Sequence, residues 1–217
     1  MKRMTPAAVR ACIEAARASP MSDPAVSYPA WYLQRWHFLP EGYLSRRSVR
    51  LYDQVVRNVY NAASESRLRL AIARRVASAG PRSVLDVGCG PGRLMRALVH
   101  ALPGTTLHGL DLSPFMLEAA RERLARAPGV TLLHGDCLRL PVGEDAFDAV
   151  TAVHVFGHLP PNLRNSAIEE SVRVLRPGGR LFVLDHAWHA LRAGNLKPPV
   201  TQSLLGGLLT FRVFEKA

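Results

Sequence analysis

VLDVGCGPGRL, residues 84–94, is the stretch on which the reading of this chain turns. A short apolar run carries Asp86 inside it and ends in Gly88, Gly90 and Gly92, with Cys89 and Pro91 between the glycines. The run at 84–87 has the length and composition of a buried strand. Glycines directly after a strand let the chain turn sharply and bring bare backbone up to a ligand. Gly92 removes a Cβ where the next helix begins. No Lys-Ser or Lys-Thr follows, the pair a phosphate loop uses, which argues against a nucleoside triphosphate. A dinucleotide remains open at this point.

Outward from this stretch the chain alternates. RSVLDV (82–87) predicts a strand, GRLMRALVHAL (92–102) a helix stopped by Pro103-Gly104, and TTLHGLDLS (105–113) a second strand. Ser113 as N-cap and Pro114 at the first helical position start a helix that runs through FMLEAARERLARA (115–127) to Pro128-Gly129. VTLLHGD (130–136) and AFDAVTAVHVF (146–156) are the third and fourth strands. NLRNSAIEESVRVL (162–175) is a helix with Ile168, Val172 and Leu175 on one side, and Pro177-Gly178-Gly179 turns the chain into a fifth strand, RLFVLDH (180–186). Strand–helix units with short links predict an α/β fold, a mainly parallel sheet covered on both faces. Residues 200–205, Gly206-Gly207 and 208–214 predict a C-terminal antiparallel hairpin. Ahead of the first strand, 64–79 is helical, with Leu68, Ile72 and Val76 in one row, and 5–18 is a short helix. Two regions follow: an N-terminal helical cap or lid, residues 1–63, and a ligand-binding domain, residues 64–217.

In an open parallel sheet, ligands sit at the C-terminal ends of the strands. Three acids fall there. Asp86 lies beside the glycines, where it would hold the loop and meet a ligand ammonium. Asp111 ends the second strand, 21 residues after Gly90, the place of a carboxylate that accepts both hydroxyls of a ribose. Asp136 ends the third, where it would face an adenine, with the Cys137 backbone N–H meeting a ring nitrogen. Each alone is compatible with a loop-capping Asp; together, around one glycine loop, they point to a nucleoside ligand without a phosphate.

Here the chain resembles the class I methyltransferases that use S-adenosylmethionine. The resemblance rests on VLDVGCGPGRL, LHGLDLSPFMLEAAR, LHGDCLRLPVGEDAFDAV and VRVLRPGGRLFVLD, which cover residues 82–186. It implies a Rossmann-like, seven-stranded sheet with a reversed last strand. It implies S-adenosylmethionine as donor and S-adenosylhomocysteine as product. Gly88, Cys89, Gly90 and Gly92 correspond to the loop around the methionine portion, Asp111 to the ribose acid, and Asp136 and Cys137 to the adenine-side pair. Leu112 and Leu138 are expected to pack near the adenine, and His154 to lie close to the methionine and the acceptor. The segment between Asp185 and the terminal hairpin is shorter than in many members. That leaves the sixth strand weakly marked and moves the acceptor's cover to residues before 64.

A sulfonium donor needs little activation, but an acceptor O–H, acidic C–H or protonated amine must lose its proton. Histidines suit that role near neutral pH. His154 and His186 are the catalytic candidates, as general base or acceptor-positioning groups; His158 and His189 stand beside them and are equally explained as a turn cap and a surface group. Their spacing matches no closed zinc pattern, and no metal is expected. Tyr28, Trp31, Tyr32, Trp36, Phe38 and Tyr43 are either an acceptor wall or the packing of the N-terminal helices. Tyr52 and Tyr60 are expected to close over the donor. Arg46, Arg47 and Arg50 would suit an acidic group on a substrate.

The remaining constraints are compositional. The chain has 217 residues, is 48% hydrophobic and carries a formal charge of +11. Residues 1–83 hold 14 Lys+Arg against 5 Asp+Glu, and residues 84–217 hold 14 against 12. A basic front meets an anionic substrate, a nucleic acid or an anionic lipid, but the basic residues are scattered and not in one dense tract. Cys12, Cys89 and Cys137 show no CxxC spacing, no apolar run is long enough to span a membrane, and the N-terminus has no secretory h-region, so a cytoplasmic location is expected. The favoured reading is a monomeric or homodimeric enzyme that O- or C-methylates a quinone, lipid-like or secondary metabolite. AVHVFGHLPP stands where many base N-methyltransferases carry Asn-Pro-Pro-Tyr or Asp-Pro-Pro-Tyr. The alternatives are RNA or phospholipid head-group methylation, a non-catalytic donor-binding protein, and an NAD-dependent oxidoreductase on a related fold.

Overall fold

A computed structural model describes residues 4–36, 39–59, 62–186 and 195–217. Three helices precede the first strand: α1 (Pro6–Arg17), α2 (Arg46–Val59) and α3 (Ala62–Ala77). Then come β1 (Ser83–Val87), α4 (Arg93–Ala101), β2 (Thr106–Asp111), α5 (Pro114–Arg123), β3 (Val130–His134), β4 (Phe147–Val153), α6 (Arg164–Arg173), β5 (Leu175–His186), β6 (Val200–Leu204) and β7 (Leu209–Glu215). Among the described residues the strands form one seven-stranded sheet, in the order β3-β2-β1-β4-β5-β7-β6. β1 to β5 pair in parallel; β7 is antiparallel to β5 on one side and to β6 on the other. The Rossmann-like sheet, its reversed last strand and the C-terminal hairpin expected from the sequence are all present.

β1 lies inside the sheet between β2 and β4, which explains its apolar run: both faces are covered. Val84, Ala149, Phe182 and Leu184 pack against Ile72 and Val76 of α3 and Leu94 and Leu98 of α4. Leu85, Val150 and Val183 pack on the other face with Ile168 and Val172 of α6. A third cluster joins the N-terminal segment to the sheet: Cys12, Ala16, Tyr32, Leu44 and Val49 pack on Leu112, Phe115 and Met116. Helix starts follow the expected chemistry. Thr5 accepts the Ala8 N–H ahead of Pro6, and Ser113 accepts the Met116 N–H ahead of Pro114.

The differences have local causes. β4 stops at Val153 because His154 takes φ +56°, which leaves the ladder. β3 stops at His134, and Asp136 lies in a turn closed by the Arg139 N–H on its carbonyl. Leu175 belongs to β5, not to the preceding helix; the register jumps from Phe147↔Leu175 to Ala149↔Arg180, so Pro177-Gly178-Gly179 forms a bulge inside the strand. The weakly marked sixth strand is real, with Val200 to Leu204 pairing along β7. α2 is a helix that the mixed aromatic and basic composition of 28–51 conceals, although Val49, Tyr52 and Val56 hold helical spacing.

Leu85 of β1 is fully buried. Leu85→Ala should lower unfolding free energy by ~2–5 kcal/mol in urea titrations; a loss below about 1 kcal/mol would mean that Leu85 is not packed in the core.

Candidate active site

The C-terminal edge of β1, β2 and β4 gathers the residues singled out in the sequence. The glycine loop leaves β1 with Gly88, Gly90 and Gly92 all at positive φ. Gly88 has no room for a side chain, since a Cβ there would meet Val155 Cγ2 at 2.5 Å. Gly90 is the opposite case: nothing lies within 4 Å of its Cβ position, so the loop offers open backbone there. The Cys89 N–H donates to the Leu110 carbonyl at 2.9 Å and the Gly90 N–H to Asp111 Oδ2 at 2.8 Å. Asp111 Oδ1 accepts the Ser113 N–H at 2.8 Å. Asp111 therefore clamps the glycine loop to the loop after β2, and each oxygen keeps lone-pair capacity for a further donor.

Asp86 is buried, and Oδ1 accepts the Thr151 hydroxyl at 2.6 Å. Oδ2 is buried with no hydrogen-bond partner. The expectation that Asp86 holds the loop is corrected here: Asp111 does so, and Asp86 is tied to β4. Burial pushes the Asp86 carboxyl up to about 7, with the Thr151 hydroxyl opposing and Asp111 adding a little. Burial also pushes Asp111 up to about 6, against three backbone N–H groups that favour its charged form. Asp136 Oδ1 accepts the Leu138 N–H at 2.9 Å, and this turn presents Cys137 and Leu138 beside the loop. Burial raises the Cys89 and Cys137 thiols well above their ordinary range, which makes both fillers and not nucleophiles.

Tyr52, Asp111, Cys137 and His154 lie deep in the molecule and yet keep part of their surface open to solvent. Asp111 interacts electrostatically with both Tyr52 and Cys137, and Arg69 with both Tyr52 and His154, so the four side chains share one partly solvent-open neighbourhood, a recess at this edge. Leu112 backs it from the cap side, packed with Phe115 and Met116. Tyr60, His189 and Phe38 lie outside the described residues.

His154 stands at the far wall. Its N–H donates to the Leu184 carbonyl at 2.8 Å, and its own carbonyl lies 2.7 Å from His158 Nδ1. A non-glycine residue at φ +56° is strained and is held there by these bonds. Its ring centroid is 5.9 Å from that of His186, so the structure brings both catalytic candidates together. Burial pushes the His154 imidazole down to about 4; Asp185 opposes, while His158, Arg69 and His186 add to the fall. The ring is therefore neutral at pH 7. Asp185 Oδ2 accepts the Gly157 N–H at 2.7 Å and fixes the turn that carries His158.

The aromatic residues of the cap form one layer. Trp36 and Tyr43 stack at 6.0 Å, and His158 meets both edge-on at 5.4 and 6.2 Å. Tyr52 is edge-on to Tyr43 at 6.2 Å, which carries the layer to the recess. Trp36 donates to the Tyr32 carbonyl, so part of this layer is internal packing. Arg46 is committed elsewhere: it makes a bidentate pair with Glu118 at 2.7 Å and lies over the Phe115 ring.

Comparison with known proteins agrees with this geometry. Residues 84–179 match the family described as a methyltransferase domain. The chain is 40% identical over 122 residues to the ubiquinone/menaquinone biosynthesis C-methyltransferase UbiE of Syntrophotalea carbinolica, covering 56% of this chain and 51% of that protein. Over residues 84–179 the chain carries a methyltransferase domain. Its fold is shared with SAM-bound CalS10, an amino pentose methyltransferase from Micromonospora echinaspora, at TM-score 0.56 and 22% identity over 74% of this chain and 97% of that one. The [4+2]-cyclase SpnF matches at TM-score 0.52 and 28% identity, over 57% of this chain and 45% of that one. The chain spans about half the length of the curated relatives it matches.

One part of the methyltransferase domain's site escapes a reading by motif. Arg69 of α3 lies near Tyr52, Asp86 and His154 and biases the ionisation of all three. It pairs with Glu65, which also meets Arg93 at 3.7 Å. Asp53 of α2 binds Arg93 and Arg123, pinning the cap to the residue after Gly92. A signal existed: Arg69 falls on the row of Ile72 and Val76, a charge on an apolar helix face.

The folded chain holds the Asp86 proton more tightly than an unfolded carboxylate with its ordinary 3.8, so stability falls as pH rises from about 4 to about 7. Asp86→Asn keeps an acceptor for Thr151 and removes that loss. It should raise the melting temperature at about pH 8 and leave it unchanged at about pH 4; equal gains at both would show that the carboxyl is not perturbed.

Proposed function

We propose that this chain binds S-adenosylmethionine and transfers its methyl group to a small organic acceptor, by O- or C-methylation of a quinone, lipid-like or secondary metabolite. The observation that carries the reading is the recess itself. An open glycine backbone at Gly90 stands between Asp86 and Asp111, with no lysine for a phosphate. The fit is chemical. Asp86 Oδ2, buried and without a partner, suits an ammonium, and Asp111 keeps acceptor capacity for ribose hydroxyls. Asp136, Cys137, Leu138 and Leu112 would enclose the adenine, and Arg69 would meet the carboxylate of the amino-acid tail. Tyr52, Tyr60 and His154 complete the set of donor-side residues proposed here.

Bound in this recess, the donor supplies an electrophilic methyl on a sulfonium. The chain's own contribution is orientation and exclusion of water. The cap aromatics cover the recess, and neutral His154, beside His186, presents a lone pair to the acceptor's proton. The likeness to UbiE supports a quinone-type acceptor. The likeness to SpnF, a protein named as a cyclase, favours a second reading in which the donor recess is kept and another reaction is performed.

Labelled donor incubated with a panel of reduced naphthoquinones should give labelled product, and His154→Ala should lower turnover while donor affinity holds. Donor binding without transfer to any member of the panel would turn the assignment to the second reading. Asp111→Ala should weaken S-adenosylhomocysteine binding by ~2–3 kcal/mol, the loss of charge-assisted hydrogen bonds; unchanged affinity contradicts the ribose role. Because Asp111 and Asp86 titrate at about 6 and about 7, affinity should climb between about pH 5.5 and about pH 7.5 as both become anionic, and Asp86→Asn should flatten the upper part of the climb.

A further inference from the structure

We infer that the outer face of α3 and α4 is a docking surface for an anionic lipid bilayer. The sequence scatters its arginines, but the fold gathers them. α3 and α4 lie side by side on one face of the sheet and share a core, so their outward sides form a single surface. α3 exposes Arg67, Arg74 and Arg75 there; α4 exposes Arg96 and His100. None of these four guanidinium groups has a carboxylate partner among the described residues. The acids that would neutralise them are spent inside. Glu65 is held by Arg69 and Arg93, and Asp53 by Arg93 and Arg123. Glu122 of α5, whose helix shares this core, is exposed, and it is flanked in sequence by exposed Arg121 and Arg126.

Charge alone fits any polyanion; the apolar content separates them. Among the described residues only Leu70, Val200 and Leu208 are large exposed hydrophobics, and Leu70, 38% exposed, lies between Arg67 and Arg74 on α3. A leucine set among arginines on a helix face is the pattern of an interfacial helix. Stacking on nucleic-acid bases calls for exposed aromatic rings, and the described residues expose none. The inference does not depend on the acceptor's identity.

Co-sedimentation of the full chain with vesicles tests it. Phosphatidylcholine vesicles containing about 30% phosphatidylglycerol should bind the chain, and pure phosphatidylcholine should not. Binding should fall at least about tenfold between about 0.05 M and about 0.5 M salt. Each basic side chain near such a surface strengthens binding about fivefold, so Arg67→Glu/Arg74→Glu/Arg96→Glu should weaken it at least about a hundredfold, with melting temperature and S-adenosylhomocysteine affinity retained. Leu70→Ser should weaken it less. The inference is overturned by no binding to anionic vesicles at low salt, by salt-insensitive binding, by undiminished binding of the folded triple variant, or by tighter binding to a single-stranded RNA oligonucleotide than to the vesicles.

Discussion

The hydrogen bond from the Gly90 N–H to the Asp111 carboxylate holds the site together. It joins the loop after β1 to the loop after β2, at the C-terminal edge of these two parallel strands. The bond is possible only because Gly90 takes a positive φ and because Leu110, one residue earlier, accepts from Cys89. Around that clamp lie buried Asp86 and partly buried Asp111, and among the described residues no cation is in hydrogen-bonding contact with either carboxyl. The energetic consequence is the raised affinity of Asp86 and Asp111 for protons. Such groups are tolerated where a ligand later satisfies them.

The cap is fixed to this clamp by polar contacts as much as by packing. Ser113, which donates its N–H to Asp111, donates its hydroxyl to the Tyr43 carbonyl at 2.6 Å. Asp53 reaches down to Arg93 at the start of α4, and Glu118 of α5 holds Ser19 and Arg46. His134, at the end of β3, accepts the Asp23 N–H at 2.9 Å. The N-terminal segment is thus tied to the loops that follow β1, β2 and β3.

The sheet was legible because its strands and helices obey separate periods, and because glycines and prolines mark the joints. The candidate donor-side residues stand out in the sequence because a glycine loop and Asp86, Asp111 and Asp136 recur at regular places along the strand–helix units; of the three acids only Asp111 ends a strand, while Asp86 lies inside β1 and Asp136 in the turn after β3. Three features were not legible. The φ of His154 depends on the tertiary bond to Leu184, which no local pattern announces. The bulge at Arg176–Gly179 follows from pairing across to β4 and β7, so Leu175 looked helical. Arg69 and Asp53 carry no motif; their roles come from which helices the fold places side by side. The basic surface on α3 and α4 was invisible for the same reason, since its members come from two helices separated by β1.

If the glycine loop and its carboxylates hold a nucleoside carrying an amino-acid tail and no phosphate, calorimetric titration of the chain with S-adenosylhomocysteine should show saturable binding, and a separate titration with NAD should show none. Tight binding of NAD with no heat from S-adenosylhomocysteine would contradict that assignment.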